Sequence, residues 1–194
     1  MKRVACIVSG TLLAASAAFA QTPAQGAPQK ISLAAGLQRS YDNIKTNLTQ
    51  AADKMAEADS SFTPAAPVRG FGAQFGHVAT FHYVFCSVAK GAANPNQGQN
   101  LEQKTTKAEF VKTLADSFAY CDPVFSSLTD DSAVQLVKQG QNEVARGSVL
   151  TNLIAHDNEE YGIITIYLRL KGQVPPSTER QMQGRGGRGG RGGQ

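Results

Sequence analysis

An all-α fold, a four-helix bundle with a disordered C-terminal tail, is the class this sequence predicts. Four segments repeat apolar residues at steps of three and four, the rhythm of one helical face. Strand-like alternation is almost absent, and the connections between the segments are mostly short, as between neighbouring helices of a bundle. The length, 194 residues, fits one domain, and a hydrophobic fraction of 41% is enough for a core. Left-handed, near-heptad packing is the expected geometry.

The chain opens with an address. Lys2 and Arg3 precede an apolar, small-residue run from Val4 to Ala18, and Ala18-Phe19-Ala20 has the small-x-small pattern of a cleavage site. Residues 1–20 are therefore expected to be a signal peptide, leaving Gln21 as the mature start. The run is shorter than the ~20 apolar residues of a spanning helix, so no transmembrane segment is expected after processing. The expected location is outside the cytoplasm, periplasmic or secreted. Residues 21–30, QTPAQGAPQK, read as a flexible leader, and the bundle is expected over 31–176.

The first helix is expected from about Ser32 to Ala58, with Leu37, Tyr41, Ile44, Leu48 and Ala51 on one stripe. The second runs from about Phe71 to Lys90. Phe71, Phe75, Val78, His82, Phe85 and Ala89 face inward, and Gly91 and Pro95 close it. The third opens at Thr106 with Glu109 three residues on, a capping-box spacing. Phe110, Leu114, Ser117, Phe118 and Cys121 form its inner face, and Pro123 is expected to end it. Thr129-Asp130-Asp131 then caps a short turn of helix to about Gln139. The fourth helix is expected from about Asn142 to Lys171, with Val149, Leu153, His156, Glu160, Ile163 and Tyr167 on its stripe. Gly172 and Pro175-Pro176 stop it. Residues 177–194 end in a GRGG repeat too poor in apolar surface to fold, and deleting 184–194 is expected to leave folding unchanged.

Charge removes one class of partner. The chain carries 19 basic and 15 acidic residues, a net +4, of which the signal peptide holds Lys2 and Arg3. Beyond Pro175, Arg180, Arg185, Arg188 and Arg191 oppose only Glu179, so residues 21–175 keep 13 basic against 14 acidic residues. A nearly neutral body gives no bulk reason to bind nucleic acid, and an exported chain does not meet RNA. No nucleic acid is expected as a partner, and the tail reads as a solubilising segment. A small molecule of unknown identity is the expected partner, with a homodimer among the assemblies open to such a bundle.

Two ionisable residues occupy positions where apolar ones belong. His156 and Glu160 share a stripe with Val149, Leu153 and Ile163, one helical turn apart. A buried, unpaired carboxylate is costly, so it needs a compensating group, and a cation is the economical one. The second helix offers His77 and His82, which project ~140° apart and do not face the same point. Two histidines and a carboxylate would leave open positions on a metal for water or substrate. The plainer alternative places Glu160 at the rim, paired with Arg169 or Lys171, with Asp157, Asn158 and Glu159 on the solvated face. A pocket between the second and fourth helices would be lined by Phe81, Tyr161 and Tyr167, with His82 as core or pocket wall. Cys86 and Cys121 remain after processing. If their helices run antiparallel, their C-terminal ends lie at opposite poles, so two buried free thiols are expected rather than a disulfide.

The segment from His156 to Ser177, HDNEEYGIITIYLRLKGQVPPS, resembles the last-helix signature of the DinB superfamily, four-helix bundles of the DinB/YfiT type. FGHVATFHYVFCS, from Phe75 to Ser87, resembles the second helix of that family. Ser117 to Asp122 and the Arg69-Gly70-Phe71-Gly72 entry also fit, so the likeness spans roughly residues 35–177. The resemblance implies one divalent metal held by three histidines, one from the second helix and two, spaced H-x-x-x-H, from the last. Carried over by position, these are His77, His156 and Glu160, and the last is a departure from histidine to carboxylate. The implied metal is zinc, nickel, manganese or iron. The implied activities are those of a metal-dependent enzyme, hydrolase or thiol-dependent transferase. The alternative is a non-catalytic, ligand- or partner-binding bundle of the cell envelope with a degenerate metal site.

Overall fold

The computed structural model describes residues 28–104 and 106–189. The expected signal peptide, most of the leader and the end of the tail lie outside those residues. Within them, α1 (Leu33–Lys54), α2 (Phe71–Lys90), α3 (Lys107–Ser126) and α5 (Arg146–Leu170) form the bundle. Between α3 and α5 come a single turn, α4 (Asp130–Ala133), and a hairpin of β1 (Leu136–Gln139) and β2 (Asn142–Ala145). A last helix, α6 (Pro176–Gly189), follows α5.

Helix ends follow their local chemistry. Ser32 caps α1 by accepting from the Ala35 amide. Thr106 and Glu109 form a reciprocal capping box at α3, as their spacing predicts. Gly91 ends α2 with φ of 67°, a left-handed cap that favours glycine. Pro123 does not end α3. It sits in the last turn and forgoes one amide bond, while the Ser127 amide still closes that turn onto the Pro123 carbonyl.

Side-chain contacts fix the helix directions. Going down α2 and α3 together, Phe71 meets Phe110, His82 meets Ser117, and Cys86 meets Cys121, so the two helices run parallel. In α5, Arg146 reaches the Ala89 carbonyl and Tyr167 the Arg69 carbonyl, so α5 runs against α2. In α1, Tyr41 stacks on Phe125 while Lys107 bonds the carbonyls at Asp53 and Met55, so α1 runs against α3. The order is up, down, down, up. Parallel neighbours require a crossover, and residues 91–104 provide most of it by returning along α2.

This direction overturns the expectation of free thiols. Parallel α2 and α3 put their C-terminal ends at the same pole, where Cys86 and Cys121 form a disulfide with Cα atoms 5.5 Å apart. The core beside it is apolar and close-packed. Ile44, Leu48, Phe75, Val78, Leu150, Leu153 and Ile164 are fully buried, each contributing on the order of 1.5–3 kcal/mol by burial. Phe75 stacks on Phe110 with centroids 5.2 Å apart.

Two stretches differ from expectation. Residues 136–139, expected in the short helical turn, and 142–145, expected to begin the fourth helix, instead form an antiparallel hairpin in which Val137 pairs with Val144. Gly140, with φ of 61°, opens its two-residue turn, and Val137 is buried against the core. Residues 177–189 continue as helix instead of starting the tail. Pro176 stands at the first helical position, where its missing amide costs nothing. Pro175 and Pro176 are buried, Arg180 bonds Asn47 and Gln50, and Glu179 pairs with Lys54 at 2.7 Å. Cutting the chain after Val174 should therefore lower stability by about 1–2 kcal/mol, or several degrees of melting temperature. Calorimetry on the two lengths checks this, and equal melting temperatures would show that α6 contributes nothing.

Candidate metal centre

The centre lies between α2 and α5. His77 projects from α2, and His156 and Glu160 from α5, one turn apart. Their ligand atoms all lie within 4.8 Å of one another. His77 Nε2 is 3.6 Å and His156 Nε2 3.9 Å from Glu160 Oε1. The two imidazole centroids are 5.2 Å apart.

The donor set fits a divalent cation. Two atoms bound about 2.1 Å from one ion lie at most about 4.2 Å apart; the two carboxylate separations satisfy this, and the set as a whole, within 4.8 Å, would draw together by a few tenths of an ångström on an ion. His156 Nδ1 and Nε2 and Glu160 Oε2 are buried and have no hydrogen-bond partner. Orphaned buried polar atoms are uncommon in folded proteins, and a cation would satisfy the imidazole lone pair and the carboxylate here. Phe81 lies over the His156 ring at 4.4 Å, with Phe85 at 6.2 Å, which gives the centre an apolar wall.

Around His77 the polar contacts come from outside the two helices. Glu102, in a single 3-10 turn over Leu101–Gln103, accepts from His77 Nδ1 at 2.8 Å and from Arg69 Nε at 3.0 Å. Burial pushes the Glu102 carboxyl up, but the hydrogen bonds from His77 and Arg69 and the Arg69 charge outweigh it and hold it below the ordinary range.

Deeper in the bundle, His82 is fully buried and makes a second polar group. Its Nε2 faces both Asp157 oxygens at 3.0 and 3.1 Å, and its Nδ1 faces Ser117 Oγ at 2.9 Å. Ser117 Oγ in turn donates to the Leu114 carbonyl at 2.8 Å. Asp157 is not on a solvated face; it is completely buried. The centre of the buried α5 face runs through Leu150, Leu153, Asp157, Ile164 and Leu168, about 75° around the helix from the stripe read in the sequence, with Leu153 common to both. His156 and Glu160 flank that buried face on the α2 side. Asp157 is the one polar residue in it, a signal that a stripe centred on Leu150 would have exposed. Glu102 had no such signal, because it sits on a connection.

The remaining predicted lining residues are spread out. Tyr161 hydrogen-bonds Ser177 at 3.0 Å, and Tyr167 packs against Phe62 and Phe71 with its hydroxyl on the Arg69 carbonyl. Phe81 alone of the aromatic set touches the two histidine ligands. No helix among the described residues is long and apolar enough to cross a membrane.

Solved structures share this fold. A DinB-like protein of Bacillus cereus is 18% identical, with a TM-score of 0.61, over 73% of this chain and 94% of its own. A DinB-like protein of Bacillus subtilis is 18% identical, with a TM-score of 0.58, over 72% and 94%. A conserved protein from Enterococcus faecalis is 13% identical, with a TM-score of 0.59, over 73% and 98%. No protein of curated function matches the sequence. The DinB superfamily model matches residues 41–164, which span α1 to α5 and include every residue of the centre. By that match, the chain belongs to the DinB superfamily.

Proposed function

We propose that this chain is an exported protein that holds one divalent metal through His77, His156 and Glu160 and uses it to hydrolyse a small molecule. The observation that carries the reading is the convergence of three donor groups from two helices, with both nitrogens of His156 and one oxygen of Glu160 left without partners. Zinc, nickel, manganese and iron all accept this donor set, and the carboxylate favours the harder ions among them. When bound, such a cation lowers the pKa of a coordinated water and polarises a substrate oxygen.

The chain's own residues do the rest. His77 and His156 present Nε2 toward Glu160 Oε1, and Phe81 and Phe85 exclude water from one side. Glu160 Oε2 is left as the acceptor for a proton released at the site. Export is supported by the Cys86–Cys121 disulfide, since such bonds persist in oxidising compartments. Small thiols are scarce there, which favours hydrolysis over thiol transfer.

The mature protein should carry close to one equivalent of divalent metal, and His156→Ala should lose it. Added metal at a hundredfold excess over its Kd should stabilise the wild type by about 2.7 kcal/mol and leave the variant unmoved. Elemental analysis and melting curves decide. A protein with no metal and no thermal response to zinc, nickel or manganese is not a metalloprotein. One that binds metal but cleaves no ester, amide or phosphoester is the non-catalytic alternative.

A further inference from the structure

The crossover, described over residues 91–104, lies on α2 beside the metal centre, and its backbone closes on Gly76. A Cβ at Gly76 would stand 2.3 Å from the Leu101 carbonyl oxygen and 2.7 Å from the Glu102 Cα. No side chain fits there without displacing backbone. The adjoining turn is held by the Glu102 amide on Asn100 Oδ1 at 3.1 Å and by burial of Leu101. The residue after Gly76 is His77, and the residue after Leu101 is Glu102. Close backbone contact therefore puts a carboxylate against a histidine whose other nitrogen faces the centre.

We infer that Glu102 is a positioning residue of the metal centre, holding His77 in the tautomer with hydrogen on Nδ1, and that Gly76 is the seat that lets the crossover deliver it. The inference rests on the metal-binding reading above. A carboxylate accepts, so the proton in the 2.8 Å contact belongs to Nδ1, and in the neutral ring Nε2 then carries the lone pair. That nitrogen is the one 3.6 Å from Glu160. Arg69 pins the second carboxylate oxygen at 3.0 Å, which fixes the plane of Glu102 and with it the plane of the imidazole. Outer partners of this type typically change metal affinity 10- to 100-fold. His156 has no equivalent partner, its Nδ1 standing 3.8 Å from Asp157. The support is thus one-sided, and His77 is the ordered ligand onto which the metal would settle.

The test uses the mature chain and three readouts. In the metal-free protein, imidazole nitrogen NMR should show His77 as the Nδ1–H tautomer, and Glu102→Ala should convert it to a mixture. Zinc affinity by competition should fall 10- to 100-fold in Glu102→Ala and less in Glu102→Gln, whose amide oxygen still accepts from Nδ1. Gly76→Ala should weaken zinc in the same direction, and combining it with Glu102→Ala should add little. The visible spectrum of bound cobalt should change with Glu102→Ala, which a merely structural role would not produce. Wild-type zinc binding with unchanged affinity and tautomer in Glu102→Ala overturns the inference and leaves the centre standing. Absence of zinc binding by the wild type overturns the centre, and the inference with it. Should Gly76→Ala fail to fold, the two Glu102 variants decide alone.

Discussion

Asp157→Ala destabilises the metal-free protein by about 3–5 kcal/mol, the cost of breaking a buried ionisable pair by removing one partner. Asp157 and His82 are both fully buried, and neither reaches water. The Ser117 hydroxyl spends its hydrogen on the Leu114 carbonyl, so His82 Nδ1 must donate to Ser117 Oγ. One further proton lies between His82 Nε2 and the Asp157 carboxylate. Removing the carboxylate leaves that nitrogen with no partner in a low-dielectric core, and it leaves a cavity as well. His82→Leu alone should cost as much, because it strands the carboxylate. The pair His82→Leu with Asp157→Leu should cost much less than the two single changes together, since an apolar pair of similar volume needs no partner. Urea unfolding of the three variants gives the comparison. Additive losses, or single losses below about 1 kcal/mol, would mean that the pair is not coupled.

Removing the disulfide has the next largest effect. Replacing Cys86 and Cys121 with alanine should lower stability by about 3–4 kcal/mol, the chain-entropy value for the 35-residue separation. The melting temperature should fall by on the order of 10 °C. Reduction of the unfolded wild type before refolding should reproduce the loss, and the double variant should not respond to reductant. The bond ties two parallel helices near one pole, where the crossover leaves α2 and the chain turns toward α4. Thiol counting on denatured, unreduced mature protein is the direct check, and two reactive thiols would contradict the bond.

Local geometry was legible because it depends on few residues. The α1 and α2 stripes, the Thr106 capping box and the Gly91 stop all stand where periodicity and capping rules put them. His156 and Glu160 are neighbours in any helix, since four residues turn the chain by only ~40° beyond a full circle. The hairpin at 136–145 escaped because four-residue strands are too short to outweigh the long helical pattern that follows, and they are held by packing against the bundle. Asp157 escaped for a different reason. α5 packs on α1 and α2 at once, so its buried arc is wide, and the sequence alone does not say which residue lies at its middle.

Sequence by itself determined the helical class, the spacing of the two α5 ligands and the identity of the third candidate, all of which follow from the turn of one helix or from a family signature. Tertiary structure alone decided that α2 and α3 are parallel. From that one fact come the disulfide and the crossover that brings Glu102 beside His77, while the packing of α5 against α2 sets His82 on Asp157. Each joins residues far apart in the chain, and such meetings depend on how whole helices pack, which no short stretch of sequence encodes.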